Sequence, residues 1–458
     1  MDWKKRLEAE KTNLLTDLQN LIQIESVLDE TKTSLEEPFG LGPKKALEWM
    51  LEKGRMDGFT DKNIANMAGH LEIGEGEELL GILGHVDVVP ATGNWKYGAF
   101  SGEIANGKMY GRGAIDDKGP TIAAYYAMKI VKDAGIPFTK RVRLIIGSDE
   151  ESGFRCVKRY FETEEMPTIA FAPDADFPII NSEKGISTLK MTTAPTDEQV
   201  LTHFQAGKRT NMVPDFAQAE LNLDLTNAKE EFSQFQKVHG VTGELRWEHQ
   251  QTTITLTGVS AHAMEPEDGK NAAILLAKFL STYIQSPFIA MLSTYFYSDS
   301  RGKRLQLNFS DEASGETTFN PGVVSFTKSS GGSVEISMRY SVSYPFESKL
   351  SAFQADMKQN GVLVTVISND PPHFVPAEDP FIQTLQKVYE RQTGEKAALL
   401  SIGGGTYARV LEKGVAFGML FPGEKDVAHQ IDEFVDLENL YKAVVIYADA
   451  IAELATKN

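Results

Sequence analysis

Two adjacent carboxylic acids, Asp116 and Asp117, sit in the stretch Tyr110-Gly111-Arg112-Gly113-Ala114-Ile115-Asp116-Asp117-Lys118-Gly119, between glycine-rich chain and the start of an apolar helical pattern. Neighbouring carboxylates repel, and a fold that keeps them together commonly supplies a hard divalent cation, which takes oxygen ligands from such acids. Four further clusters end apolar, strand-like runs: Gly84-His85-Val86-Asp87, Ser148-Asp149-Glu150-Glu151, Pro173-Asp174-Ala175-Asp176, and the segment from Pro422 to His429. Singly, each has an ordinary explanation. A histidine after a strand is often a hydrogen-bonded core residue, and acids before a helix complement its dipole or cap it. Together, in one order along the chain, they predict a single metal site. Residues two apart in an extended segment face the same side, so Asp87 is expected to hold the ring nitrogen of His85 that does not face the metal.

The elements that must position these groups follow from periodicity. Apolar runs at Ala68 to Ile73, Leu79 to Leu83, Arg141 to Gly147, Thr168 to Ala172 and Val415 to Phe421 read as strands. Helical patterns cover Trp3 to Ile24, Pro43 to Met56, Lys118 to Asp133, Asp379 to Arg391 and Asp436 to Ala455. Strands separated by helices imply an α/β fold with a mostly parallel sheet, and such sheets present ligands at the carboxyl ends of their strands, where His85, Glu150, Glu151 and Asp174 fall. From about Gly185 the runs alternate in the manner of antiparallel strands, until Pro371-Pro372 breaks the chain. The expected organisation is a first domain of residues 1–184 and 371–458, with residues 185–370 inserted as a second, α+β domain.

Composition narrows the classes. The chain of 458 residues, 41% hydrophobic and 24% charged, has room for two cores. A net charge of −18 argues against nucleic acid or an anionic membrane as partner. No run approaches a membrane span, and the basic residues near Met1 precede no apolar signal region. Cys156, the one cysteine, excludes an intrachain disulfide and a thiolate metal cluster and is expected to be a helix residue, so the expected compartment is the cytoplasm. Gly403-Gly404-Gly405-Thr406 lacks the lysine of a phosphate-cradling loop. His70, His203, His239, His249 and His373 match no motif and are assigned to structure or surface.

The strings GHVDVVP, YGRGAIDDKGP, IIGSDEES, FAPDADFP and IGGGTYAR, with the late His429, resemble the PepV-type bacterial dipeptidases, a branch of the dinuclear zinc aminopeptidase, carboxypeptidase and aminoacylase superfamily. The likeness runs over almost the whole chain, inserted domain included. It implies two zinc ions, with manganese the alternative, bridged by Asp116; His85 and Asp174 would complete one site, Glu151 and His429 the other. It also implies a cis peptide between Asp116 and Asp117. Activated hydroxide between the ions would attack an amide carbon, with Glu150 as general base.

In the inserted domain, read as a lid, the resemblance makes His262 the donor to the oxyanion and gives Asn211 and Arg339 to the substrate; from the returning segment of the first domain it adds the glycine turn at Gly403 and Gly404. A guanidinium suits a substrate carboxylate. The implied activity is hydrolysis of dipeptides with a free amino end by a monomer. The alternatives are an N-acyl amino acid amidohydrolase and a non-catalytic peptide binder. Ala263 after His262, and Ser341-Val342-Ser343 after Arg339-Tyr340, depart from the usual family pattern and bear on pocket shape.

Overall fold

The strand Leu79–His85 is buried along its whole length, and that requires cover on both faces of its sheet. In the computed structural model, which describes residues 1–456, alternate side chains supply it; the last two residues of the expected 371–458 segment lie outside the described residues. Leu80, Ile82, Val142, Leu144, Ile146 and Phe171 join one core with the helices Trp3–Ile22, Lys118–Lys132, Pro380–Thr393 and Leu437–Ala455. Leu83, Ile145, Ala170 and Ala172 face a second cluster with Cys156, Val157 and Tyr160 of the helix Arg155–Phe161.

The chain divides into two compact units, Met1–Asn181 with Phe374–Leu400 and Gly405–Asn458, and Ser182–His373 with Ser401–Gly404. In the first, the strands Arg141–Gly147, Leu79–His85, Ile169–Ala172 and Gly414–Ala416 lie side by side and parallel. Antiparallel strands flank them, Ala68–Ile73 and Thr60–Ile64 on one side and Ile179–Glu183 on the other. The sheet is therefore parallel at its centre and antiparallel towards its edges. Two of the helix starts are set by acids: Asp436 accepts from the N–H groups of Glu438 and Asn439, and Asp379, before Pro380, accepts from Phe381.

The second unit is an eight-stranded antiparallel sheet in the order 242–248, 251–257, 216–221, 201–206, 318–327, 331–340, 185–193, 362–370. Its own core takes in the helices Lys229–His239, Ala272–Leu280, Pro287–Tyr295 and Phe346–Gln359. The segment Ser401–Gly404 belongs here because Lys184 N–H donates to the Ile402 carbonyl and Arg339 to that of Gly403. Among the described residues, no helix is long and apolar enough to cross a membrane.

Cys156 is buried within its helix, and burial pushes its thiol up to about 12, so it stays protonated. His70 is buried on the strand Ala68–Ile73, its Nδ1 2.7 Å from the Tyr160 hydroxyl, which also accepts from Arg143. Burial, then the charges of Arg143 and Lys62, push its pKa down to about 3. A depressed histidine leaves the unfolded chain holding the extra proton below about pH 6.5, so its contribution is fully present above that pH and is lost as pH falls. Between pH 7 and pH 5 the unfolding free energy of the wild type is expected to drop about 2 kcal/mol further than that of His70→Gln, measured by urea denaturation; parallel slopes would show that His70 protonates freely in the native state.

Candidate metal centre

The parallel strands deliver their ends to one place. His85 is the last residue of Leu79–His85, Glu150 and Glu151 follow Arg141–Gly147, and Asp174 follows Ile169–Ala172. His85 Nε2 lies 3.1 Å from Asp116 Oδ1 and 3.6 Å from Asp174 Oδ2. His429 Nε2 lies 2.9 Å from Asp116 Oδ2 and 3.0 Å from Glu151 Oε2. Asp116 thus presents one carboxylate oxygen to each histidine, and the peptide bond after it is cis. His429 has φ of +62°, a left-handed conformation in which a non-glycine residue needs support.

The three adjacent acids Asp149, Glu150 and Glu151 go separate ways. Asp149 turns to Arg155, whose Nε and Nη2 both donate to it at 2.7 Å. Glu151 meets His429. The Glu150 carboxylate makes no hydrogen bond among the described residues, while its backbone N–H donates to Asp87 Oδ1 at 3.1 Å.

Asp87 does more than its spacing predicts, and part of it differently. The nearest acceptor to His85 Nδ1 is the Asp87 backbone carbonyl at 3.0 Å, with the carboxylate at 3.4 Å. Its two carboxylate oxygens take the N–H groups of Glu150 and Glu151, each at 3.1 Å. Asp117 does not cap the helix that follows it. Its Oδ2 accepts from the His85 N–H at 3.0 Å and the Thr121 hydroxyl at 2.9 Å, and its buried Oδ1 has no hydrogen-bond partner. Ligand atoms of His85, Asp117 and Asp174 lie within 4.8 Å of one another, as do those of His85, Asp116 and Glu151.

Sequence reasoning missed this role for Asp117 and missed Arg112 and Glu433 altogether. Glu433 is fully buried, with Arg112 Nη1 2.5 Å from its Oε2. The one signal for them was a charged residue inside glycine-rich chain and an acid four positions after His429.

Crowding shapes the electrostatics. Burial, then the charges of Asp117 and Asp116, hold the Asp174 carboxyl well above the usual range. Burial also raises Glu150, and the neighbouring Glu151, Asp116 and Asp87 raise it further against the pull of His85. Asp116 is the exception: burial opposes its ionisation, but hydrogen bonds from His429 and His85 hold it well below the carboxylate range. Hydrogen bonds to Asp116 and Glu151 push His429 up to about 10. Among the described residues no lysine or arginine pairs with Asp116, Glu151 or Asp174. Two imidazoles, three or four carboxylates and an orphaned buried oxygen form a donor set suited to divalent cations, which would replace the protons that otherwise balance the charge.

The residues predicted to meet substrate gather in the second unit. Arg339 Nη1 donates to the Gly403 carbonyl at 3.0 Å. A Cβ at Gly403 would come within 2.7 Å of that of Met264, so only glycine allows this approach. The Asn211 carbonyl accepts from the Ala263 N–H at 2.9 Å, and Gly404 follows Gly403 in the segment Ser401–Gly404 of the same unit. His262 Nδ1 accepts from the Met264 N–H at 3.3 Å, which leaves Nε2 as the protonated nitrogen of the neutral ring; burial and then Arg339 lower its pKa.

A model of peptidase family M20/M25/M40 matches residues 81–453. The protein of Bacillus subtilis (strain 168) named "Putative dipeptidase YtjP" is 46% identical over 467 residues, 99% of this chain and 100% of its own. "Putative dipeptidase SH1171" of Staphylococcus haemolyticus (strain JCSC1435) is 39% identical over the same shares. Among solved structures, aminoacylhistidine dipeptidase from Vibrio alginolyticus matches with a TM-score of 0.58 over 97% of each chain at 13% identity. Human carnosine dipeptidase 1 gives 0.57 over 98% of this chain and 97% of its own, also at 13%. The two structures establish the two-domain fold.

Zinc or manganese is expected to raise the melting temperature of protein stripped with a chelator, since a ligand at a hundred times its Kd adds about 2.7 kcal/mol per site. Asp116→Asn should lose most of that rise. An equal rise in wild type and variant would take the bridging role from Asp116.

Proposed function

The chain belongs to peptidase family M20/M25/M40, and on that premise we propose that it is a metal-dependent dipeptidase that hydrolyses dipeptides with a free amino end. The observation that carries the reading is the Asp116 carboxylate between His85 and His429, with Glu151 and Asp174 on either side and, next to them, a Glu150 carboxylate with no hydrogen bond among the described residues. We assign one zinc or manganese ion to His85, Asp174 and Asp116 and a second to Asp116, Glu151 and His429. When bound, such ions supply acidified water and a polarised carbonyl.

The chain's own groups do the rest. Glu150 is the proton carrier: it takes a proton from the attacking water and delivers it to the leaving amine. Its environment favours that exchange, because burial and nearby acids raise its affinity for the proton. Asp87 fixes where Glu150 stands by accepting its backbone N–H and that of Glu151. His262, neutral with a proton on Nε2, has the donor an oxyanion needs. Arg339 is assigned to the C-terminal carboxylate of the substrate, and Asn211 and the Gly403-Gly404 turn to its backbone; a guanidinium suits the free carboxylate of a dipeptide. The names of the bacterial relatives, both dipeptidases, agree with this substrate class.

Hydrolysis of a dipeptide panel, run beside N-acetyl and N-succinyl amino acids, tests the reaction. Glu150→Ala is expected to lower kcat on dipeptides at least about 100-fold with metal content unchanged. Faster turnover of the acylated amino acids would make the chain a deacylase, and binding of dipeptides without cleavage would make it a binder. For the clamp, Arg339→Met is expected to raise KM about 10–100-fold on free dipeptides and to erase their advantage over C-terminally amidated ones, as loss of a charge-assisted contact predicts. An unchanged preference would remove Arg339 from that carboxylate.

A further inference from the structure

The chain segments that carry Asp116 and His429 are distant in sequence and are joined by a buried ion pair. Arg112 and Glu433 are 3% and 0% exposed. Each uses its second polar atom on one of those segments. Glu433 Oε1 accepts from the N–H of Ile115 at 3.1 Å and from that of Asp116 at 3.4 Å. Arg112 Nη2 donates to the carbonyl of His429 at 3.2 Å, at the residue whose left-handed backbone needs holding. The Gly111 N–H donates to the Glu433 carbonyl at 2.9 Å, and Phe434–Asp436 pairs with Lys108–Tyr110 in an antiparallel ladder. Trp95 covers the guanidinium, with its ring centroid 5.1 Å away.

We infer that Arg112 and Glu433 are positioning residues that act chiefly on the Asp116–Glu151–His429 ion site and reach the His85–Asp174 site only through the shared Asp116. The physical reason lies in what each partner touches. The guanidinium fixes the loop that presents His429; the carboxylate fixes the backbone that presents Asp116. Neither contacts His85 or Asp174. Those are held independently: His85 by Asp117 and Asp87, and Asp174 by its place after the strand Ile169–Ala172. An ion pair kept only for stability would have no reason to reach ligand-bearing backbone from both partners while leaving the buried Arg112 Nε without a hydrogen bond. A buried pair is also seldom more stabilising than apolar side chains of the same size.

The inference rests on the two-ion reading, and the test separates the two. Apo protein is titrated with zinc by calorimetry, with melting of the apo form recorded alongside. Wild type is expected to bind two ions; one ion or none would sink the two-ion reading itself. In Arg112→Met/Glu433→Gln, an uncharged pair that still offers an oxygen to the Ile115 N–H, the site that includes His429 should weaken about 10–100-fold and the other by clearly less, through the shared Asp116 alone. In a His429→Ala background the same double change should cost little more, because the site it serves is already gone.

Two sites as tight as in wild type, two sites weakened equally, or a full additional loss in the His429→Ala background would each overturn the inference. If the double variant does not fold, Arg112→Lys decides. It retains the charge opposite Glu433 but lacks the second nitrogen that reaches His429. Weakening of one site at an unchanged apo melting temperature supports the positioning role, and wild-type affinities refute it.

Discussion

Largely buried carboxylates that, among the described residues, pair with no lysine or arginine are the constraint around which the first unit is built. Asp116, Glu151 and Asp174 converge on two imidazoles at the end of a sheet whose centre is apolar on both faces. Taking one charge out of water is costly, and several like charges multiply the cost. The chain could have answered with lysine or arginine. Instead it leaves the charge to be balanced by protons or by ions, which makes this end of the sheet a site and not a core. The parallel arrangement serves that end, because side chains leaving adjacent strands in the same direction meet without a long loop to bring them together.

The outline of this was legible in the sequence because the signals were local and periodic. The strand Arg141–Gly147 was bounded correctly from its apolar run, and the helices Lys118–Lys132 and Leu437–Ala455 to within a residue at each end. Parts of the second unit were less visible: the strand Thr242–Glu248 is mostly exposed and carries little apolar pattern, and Val362–Asp370, though apolar in its first half, is buried only at Val362 and Val364. The sheet's antiparallel edges were invisible for another reason. Strand direction depends on how the chain returns, and a run of apolar residues does not encode it.

Within the site, residue type could be read but allegiance could not. The run Asp149-Glu150-Glu151 identifies an acid-rich strand end, yet only the backbone decides that Asp149 faces Arg155, Glu151 faces His429 and the Glu150 carboxylate has no hydrogen bond among the described residues. Likewise, His85-Val86-Asp87 correctly suggests a histidine and an acid on one side of an extended segment. That the acid would turn its carboxylate to the N–H groups at positions 150 and 151 depends on a neighbouring strand. Sequence separation hides it.

One pattern then accounts for how such a crowded centre keeps its shape. Three buried carboxylates accept backbone N–H groups from segments that carry the converging side chains: Asp117 from His85, Asp87 from Glu150 and Glu151, and Glu433 from Ile115 and Asp116. Each such bond favours the charged form, against the burial that holds the Asp117 and Glu433 carboxyls above the usual range. It also fixes main chain, which rotates less than a side chain and so places the next Cβ more narrowly. The acids that crowd the site are therefore oriented by other acids acting on their backbones. A framework of this kind holds its geometry through the protein's own hydrogen bonds, so that when ions bind, their binding energy need not be spent on ordering the loops that receive them.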